Sequence, residues 1–232
     1  MMVDETSPLA VDIDGTLTRE DDTIDPRIFS ALRMWEGPVV VATGKAFPYP
    51  IALCHFIGLE YLVIAENGGI LATTDAVDRL ADPSRSEAAV VAMEKAGYSV
   101  AWPEPDLVNR WRETEIAIRR INQLAELREI AGNHGAEIVD SGYAYHVKVP
   151  TVSKGAALER LADRLSIPLA SFIAIGDSEN DLEMFSKVGY AVAVANAHED
   201  LKALADDVTR EPYADGTVAA LKRIHSNPPP IG

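Results

Sequence analysis

Residues 8–17 read PLAVDIDGTL, an apolar run that ends in two aspartates and a glycine. Such an unbroken apolar run is typical of a strand covered on both faces in a parallel sheet. Asp12 and Asp14 follow where that strand ends, and Gly15 comes directly after them. Two neighbouring carboxylates repel each other, so their position at the end of a buried strand needs a chemical explanation.

Similar apolar runs, rich in Val and Ile, recur along the chain and alternate with helical patterns. Further strands are predicted at 38–43, 61–65, 172–176 and 190–195. Helices are predicted at 26–36, 50–58, 154–165, 179–187, 198–205 and 216–225. This alternation predicts an α/β fold with a doubly wound, mainly parallel sheet.

The middle third of the chain has a different pattern. Helices are predicted at 84–97 and 121–134, the second ending at Gly135, with strands at 98–102, 115–119, 136–140 and 143–149. These strands alternate polar and apolar residues, which is typical of a sheet with one solvated face. The pattern predicts an α+β domain over 83–152, inserted into a core formed by 1–82 and 153–232. The final segment, SNPPPIG at 226–232, is expected to be a disordered tail.

Composition excludes several classes of protein. The 232 residues are 47% hydrophobic and carry a formal net charge of −15, a charge that repels nucleic acid and anionic membranes. No apolar run approaches the length of a membrane span, and the first residues lack the pattern of a secretory signal. The single cysteine, Cys54, lies in an apolar stretch and is expected to be buried. These features predict a soluble cytoplasmic protein, and the scattered acids favour adaptation to a salty cytosol.

Polar residues cluster at the predicted carboxyl ends of the strands, where sites form in parallel sheets. They are Asp12 and Asp14 after the first strand, Thr43, Gly44 and Lys45 after the second, and Gly176 to Asp181 after the fourth. Lys154 opens the helix that follows the insertion. Each group alone fits a turn or a helix cap. Their joint occurrence at one edge of a sheet indicates a site.

The chemistry of this group favours a hard divalent cation and a phosphoryl group. Oxygen ligands without His or Cys are those that Mg²⁺ prefers, and the cation removes the repulsion between the carboxylates. A calcium-binding loop is excluded for DIDGTL because Thr16 and Leu17 replace the third ligand and the required glycine. A lysine with hydroxyl and amide donors completes a pocket for a phosphoryl dianion.

Four segments carry a resemblance to a known family. DIDGTL (12–17), VVVATGK (39–45), SKG (153–155) and IGDSENDLEM (175–184) resemble the four ordered motifs of the haloacid dehalogenase (HAD) superfamily of phosphatases. The insertion between the second and third motifs resembles the type-two cap, found in Cof-like sugar phosphatases and archaeal phosphoglycolate phosphatases. The compact cap is most similar to the latter group, which implies 2-phosphoglycolate as the substrate.

The resemblance assigns roles to individual residues. Asp12 would be the nucleophile that forms an aspartyl phosphate, and Asp14 the general acid and base. Mg²⁺ would be held by the carboxylate of Asp12, the backbone carbonyl of Asp14 and Asp177, with help from Asp181. Thr43 and the amide of Gly44 would hold phosphoryl oxygens, and Lys154 would offset charge on Asp12 and on the transferring group. Ser178 and Asn180 are candidates for contacting the phosphate or the residues that hold it.

Some positions are less clearly assigned. Lys45 stands where many relatives carry Arg, and it is a candidate substrate contact that lacks the bidentate fork of arginine. Asn67, in AENGGIL, is either a pocket residue or a turn residue. In the insertion, His146 and Lys148 alternate along one strand and are candidates for binding a substrate carboxylate.

The expected partner is therefore a small phosphorylated metabolite, and the chain is expected to be a monomer or homodimer. Three alternatives stay open at this point: a sugar-phosphate phosphatase, a phosphotransferase or mutase, and a non-catalytic phosphate-binding module on the same fold.

Overall fold

The structure is a computed structural model, and it describes residues 3–229. The strands are β1 (Leu9–Val11), β2 (Val39–Ala42), β3 (Val63–Ala65), β4 (Ile70–Ala72), β5 (Val77–Arg79), β6 (Ile116–Ile118), β7 (Glu137–Asp140), β8 (Tyr145–Lys148), β9 (Ile173–Gly176), β10 (Tyr190–Ala193) and β11 (Asp207–Val208). The helices are α1 (Pro26–Arg33), α2 (Pro48–Ile57), α3 (Ser84–Lys95), α4 (Leu124–Asn133), α5 (Lys154–Leu165), α6 (Leu182–Phe185), α7 (Glu199–Leu204) and α8 (Tyr213–Ser226).

A mainly parallel sheet forms the centre of the molecule. Its strand order is β11-β10-β9-β1-β2-β3-β4-β5, and only β4 and β5 run antiparallel to their neighbours. Leu9 of β1 lies opposite Val39 on one side and Ile173 on the other. The residues of β1, β2 and β9 are buried throughout, because helices cover both faces of the sheet. This burial explains why these strands are continuously apolar and confirms the predicted α/β fold class.

A second, antiparallel sheet in the order β6-β8-β7 forms the inserted cap together with α3 and α4. Its apolar residues form a cluster separate from the main core, including Met93, Leu127 and Val147. The predicted boundaries at 82/83 and 152/153 enclose these elements and stay a prediction.

Two helix starts show how local sequence fixes the elements that carry the site. Ser153 precedes α5, and its side chain accepts a hydrogen bond from the amide of Ala156 (2.9 Å), which satisfies one free donor of the first turn. At α1, Asp25 accepts from the amide of Arg27 (2.8 Å), and Pro26 occupies the first helical position. Lys154 is thereby fixed at the first position of a capped helix.

The structure corrects one predicted strand. Residues 98–102 form no strand, although Val100 is fully buried as its apolar neighbourhood suggested. The indole of Trp102 donates to the carbonyl oxygen of Ala117 (2.9 Å), a group that a ladder with β6 would need. Pro103 follows directly and has no N–H to donate, so within the described chain the segment makes a single backbone bond beside β6, from the amide of Arg119 to the carbonyl of Val100 (3.0 Å), and forms no ladder.

Other differences concern short elements. The β4–β5 hairpin and β11 were not predicted, because their residues lie in no longer apolar or alternating run that would indicate a strand. The predicted helix at 179–187 is instead a 3-10 turn at Glu179–Asp181 followed by α6.

The chain termini and the cysteine complete the comparison with prediction. Of the tail predicted at 226–232, Ser226 ends α8 and the carbonyl oxygen of Pro229 accepts from the amide of Val3 (3.3 Å). Residues 230–232 lie outside the described range. Cys54 is buried on α2, as predicted. Within residues 3–229, the helices are all too short or too polar to cross a membrane.

Candidate active site

The end of β1 turns sharply at Gly15. This glycine has φ +73°, and a Cβ at this position would lie 2.1 Å from Oδ2 of Asp177. The turn is closed by the amide of Leu17, which donates to the carbonyl of Ile13 (2.7 Å). Only glycine fits here without displacing Asp177, and the turn lets both Asp12 and Asp14 line the same cavity.

Lys154 is the central cation of the site, and its side chain has no solvent exposure. Its Nζ donates to Oδ1 of Asp12 (2.7 Å) and to Oδ1 of Asp181 (2.8 Å). Burial opposes the charged form of this lysine, but the two carboxylates outweigh it and raise its pKa. Lys154 therefore stays protonated and fixes the orientation of Asp12.

Three carboxylates surround this lysine on the described part of the chain. Oxygens of Asp12, Asp177 and Asp181 lie within 4.8 Å of one another. Burial raises the pKa of Asp12 to about 7; Lys154 opposes this increase, and the charges of Asp181 and Asp14 add to it. Burial and the charge of Asp12 raise the pKa of Asp177 well above its usual range. One ammonium does not balance three carboxylates, so the cluster can hold a hard divalent cation.

Asp181 is more fully occupied than its two neighbours. One of its oxygens accepts from Lys154, and the other accepts from the amides of Asp177 (3.1 Å) and Ser178 (3.2 Å). Gly176 allows this approach, because a Cβ there would lie 2.5 Å from Oδ2 of Asp181. These bonds fit a carboxylate that orders the loop and the lysine.

The turn after β2 supplies the opposite side of the site. Thr43 is fully buried, and its hydroxyl oxygen accepts from the amide of Lys45 (3.1 Å). Gly44 lines the cavity, and a Cβ at this position would lie 3.1–3.2 Å from atoms of Asn67 and His146. Lys45, the last residue of the second motif, pairs with Asp14 of the first motif (2.8 Å).

These groups border a cavity of about 300 Å³ between the sheet edge and the cap. Of the predicted site residues, Asp12, Asp14, Gly44, Lys45, Ser178 and Asn180 line it, and the cap contributes Leu107, Val108, Arg112, Ser141, Tyr143 and His146. Lys154, Asp177 and Asp181 are not part of the lining but cluster with Asp12, and Thr43 is also outside it. The structure thus brings together residues separated by up to 169 positions in the sequence.

A buried polar network joins the cap to the core. Glu115 accepts from Asn67 (2.9 Å) and is bonded to Nδ1 of His146 (2.7 Å), and it also pairs with Arg112. Asn67 in turn accepts from Asn180 (2.9 Å). Burial alone would raise the pKa of Glu115, but the charges of His146 and Arg112 hold it at about 2. Asn67 therefore bridges the two parts of the molecule.

A second anchor lies beside this network. The buried carboxylate of Glu66 accepts from the amides of Glu113 (2.9 Å) and Thr114 (2.8 Å) and from the Thr114 hydroxyl (2.7 Å). Burial raises the pKa of Glu66, against these hydrogen bonds. The sequence analysis missed Glu66, Arg112 and Glu115, and the only available signal was the concentration of charge in RETE (112–115).

Of the two cap candidates on β8, one reaches the cavity. His146 lines it, whereas Lys148 pairs with Glu137 and bonds the carbonyl of Val152, outside the cavity lining. These contacts of Lys148 tie β8 to β7 and to the segment that leads to α5.

A family model described as haloacid dehalogenase-like hydrolase matches residues 9–101 and 116–221. The chain belongs to this family. The match contains all four segments that carried the resemblance, and it includes the cap except residues 102–115.

Relatives within this hydrolase family extend over nearly the whole chain. A phosphoglycolate phosphatase of Natronomonas pharaonis is 51% identical, covering 95% of this chain and 99% of the relative. A phosphoglycolate phosphatase of Halobacterium salinarum is 49% identical, covering 94% of this chain and 97% of the relative. A phosphoglycolate phosphatase of Archaeoglobus fulgidus is 42% identical, covering 92% of this chain and 95% of the relative.

Solved structures agree with the fold. The crystal structure of Thermoplasma acidophilum 0175 superposes with a TM-score of 0.86 at 28% identity, covering 97% of this chain and 99% of that one. A haloacid dehalogenase-like hydrolase from B. subtilis superposes with a TM-score of 0.75 at 22% identity, over 93% and 99%, and supports the fold alone.

Proposed function

We propose that this hydrolase is a Mg²⁺-dependent phosphatase that converts 2-phosphoglycolate to glycolate and inorganic phosphate through an aspartyl phosphate. The observation that carries the chemistry is the arrangement of Asp12, Asp14 and the buried Lys154 at one cavity. A binding module would need no nucleophile and acid pair. The substrate is supported by the names of relatives about half identical over almost the full chain.

The residues present fit a magnesium ion. Asp12, the backbone carbonyl of Asp14 and Asp177 would hold it, and Asp181 would order Lys154 and the loop beside it. Three carboxylates against one buried ammonium leave the excess negative charge that a divalent cation offsets. When bound, Mg²⁺ would neutralise charge on the phosphoryl oxygens during transfer.

Asp12 carries the first chemical step. Lys154 bonds Oδ1 of Asp12, which leaves Oδ2 to attack phosphorus in line as the bond to the leaving oxygen breaks. Asp14 gives its proton to that oxygen, so glycolate departs neutral at its hydroxyl. Water then attacks the phosphorus of the aspartyl phosphate and gives its proton to Asp14, which releases phosphate and restores Asp12.

The remaining residues hold the phosphoryl group and exclude water. We assign phosphoryl contacts to Thr43, the amide of Gly44, Asn180 and Ser178, and charge compensation to Lys154. The cap closes the cavity over the substrate, so that water enters only for the second step. We further propose that the protein acts in the cytoplasm as a monomer or homodimer, without nucleic-acid or membrane partners, as its acidic composition supports.

Phosphate release from a panel of esters tests this proposal. The panel contains 2-phosphoglycolate, a hexose phosphate, a nucleotide and p-nitrophenyl phosphate, each assayed with Mg²⁺ and with chelator. We expect Mg²⁺-dependent release with the highest kcat/KM for 2-phosphoglycolate. A higher value for the hexose phosphate would move the substrate to sugar phosphates, and transfer to an added sugar without free phosphate would indicate a phosphotransferase.

A further inference from the structure

The cavity contains a cationic side chain for which the phosphoryl chemistry has no use. Among the described residues that line it, the side chains with permanent positive charge are Lys45 and Arg112. Lys45 is the last residue of the second motif and pairs with Asp14 at 2.8 Å. Arg112 belongs to the cap, lies outside the four family motifs, and is part of the cavity lining.

Arg112 is buried and only partly satisfied. Its side chain is 6% exposed. Nε donates to the carbonyl of Val108 (3.1 Å), and Nη1 donates to the carbonyl of Gly44 (2.8 Å) and to Glu115. Nη2 has no hydrogen-bond partner within residues 3–229. Because Nη2 stays accessible to solvent, its free N–H edge is available to an acceptor.

The network behind Arg112 fixes its orientation. Glu115 is held by Asn67 (2.9 Å) and His146 (2.7 Å), so its position is set independently of Arg112. The bond to Gly44 ties the same guanidinium to the turn that we assign to the phosphoryl group. Arg112 is therefore preorganised between the phosphoryl pocket and the cap.

We propose that Arg112 binds the carboxylate of the substrate's leaving group through Nη2 and thereby selects esters whose alcohol carries a carboxylate. This inference rests on the proposed function. A carboxylate that enters beside Asp12 and Asp14 is repelled unless a cation meets it. The planar guanidinium suits a carboxylate, and its other nitrogens are already engaged, so the geometry admits one acceptor at one edge.

The test compares two esters that differ in the carboxylate. 2-Phosphoglycolate and 2-hydroxyethyl phosphate have similar size, and only the first carries the second negative group. We expect Arg112→Gln to lower kcat/KM for 2-phosphoglycolate by about 10- to 100-fold, mainly through KM. Values for 2-hydroxyethyl phosphate should fall by a clearly smaller factor, because that substrate loses only the support that Arg112 gives to Gly44 and makes no ionic contact with Arg112. Arg110→Gln, an exposed arginine beside Trp111, is the matched control and should change neither value.

The outcomes separate this inference from the proposed function. If the wild type prefers 2-phosphoglycolate and Arg112→Gln keeps that preference, the role of Arg112 is wrong and the function stands. An equal fall for both esters would assign Arg112 to holding Gly44 and would also overturn the inference. A wild type without any preference would contradict both proposals.

Arg112→Lys keeps the test decisive if Arg112→Gln does not fold. Lysine retains the charge but offers a single nitrogen, so it cannot span the positions that Nη1 and Nη2 of the planar guanidinium occupy. We expect Arg112→Lys to lose part of the wild-type preference for 2-phosphoglycolate over 2-hydroxyethyl phosphate, and wild-type selectivity in this variant would overturn the inference.

Discussion

At the scale of single residues, the site depends on how its buried charges are balanced. A buried lysine is tolerated only because carboxylates surround it, and removing one member of such a set leaves an uncompensated charge that costs about 3–5 kcal/mol. Lys154 meets Asp12 and Asp181 at 2.7 and 2.8 Å. Asp177 lies in the same cluster but makes no contact with the lysine shorter than 4 Å. Its charge is the one that the protein alone leaves unbalanced.

Magnesium should therefore stabilise the folded protein through this cluster. At a concentration about 100 times its Kd, we expect Mg²⁺ to add about 2.7 kcal/mol and to raise the melting temperature by about 5–10 °C. Asp177→Asn should abolish this increase, while Asp163→Asn, on the exposed face of α5, should retain it. Differential scanning calorimetry with Mg²⁺ and with chelator measures both. An unchanged increase in Asp177→Asn would remove Asp177 from the metal site.

Glu115 gives a pH-dependent prediction. Its pKa falls from 4.5 to about 2 on folding, because His146 and Arg112 outweigh burial. A depressed carboxyl pKa stabilises the protein above the unfolded value, and this stabilisation is lost as the pH falls from about 4.5 through about 2. The loss is roughly 3 kcal/mol.

Glu115→Gln should remove that part of the acid sensitivity. Denaturant unfolding at pH 7 and pH 3 should show a smaller drop in the free energy of unfolding than in the wild type. Glu129→Gln, on the exposed face of α4, should behave like the wild type. Equal drops in all three proteins would mean that Glu115 is not held ionised.

At the scale of elements, sequence patterns were most informative where an element is long and serves a buried face. The bounds of α5 were predicted without error, because an apolar stripe and the Ser153 cap define it. Segment 98–102 failed because side-chain bonding by Trp102 replaced ladder pairing, which no local pattern shows. β4 and β11 lie in no longer strand-like run of sequence, unlike the equally short β1 and β3, so their pairing depends on their neighbours in the sheet and cannot be read locally.

The candidate site was predictable for a related reason. Motif residues at strand ends can be recognised in the sequence because polar side chains follow apolar runs, as at Asp12, Asp14 and Asp177. Glu66, Arg112 and Glu115 act across the boundary between core and cap. Their partners lie 3 to 68 positions away in the sequence, and only the fold reveals them.

Glu66 is expected to control how firmly the cap sits on the core. Glu66→Ala removes the acceptor for two backbone amides and one hydroxyl of residues 113 and 114. Each buried donor left unpaired costs about 1–3 kcal/mol. Hydrogen exchange of the 112–116 segment should accelerate, and KM should rise several-fold. Glu60→Ala, a change in the loop before β3, should leave exchange in this segment unchanged. Unaltered exchange in Glu66→Ala would contradict the anchor.

At the scale of the whole molecule, the net charge of −15 dominates. Acids are spread over the surface, so mutual repulsion opposes the compact state at low ionic strength. Salt at 1 M shortens the screening length to about 3 Å and weakens that repulsion. Relatives in Halobacterium salinarum and Natronomonas pharaonis share most of the chain's length, and the salt-adapted interpretation of the composition fits them.

The melting temperature should therefore rise with potassium chloride. Between 0.1 and 2 M we expect an increase of about 5 °C or more, equivalent to about 2 kcal/mol. The double variant Glu20→Gln/Asp22→Asn, in an exposed acidic loop, should melt higher than the wild type at 0.1 M and gain less from salt. A melting temperature that falls or stays flat with salt would overturn the salt-adapted interpretation.

Asp12 is expected to carry the phosphoryl group during turnover, and trapping that intermediate shows whether it does. Wild-type enzyme with Mg²⁺ and 2-phosphoglycolate is quenched within the first turnover, reduced with borohydride and analysed by peptide mass spectrometry. An aspartyl phosphate is reduced to homoserine, so the account predicts homoserine at position 12 and unmodified aspartates at positions 14, 177 and 181. Release of phosphate without any modification at position 12, or modification at another aspartate, would contradict the account.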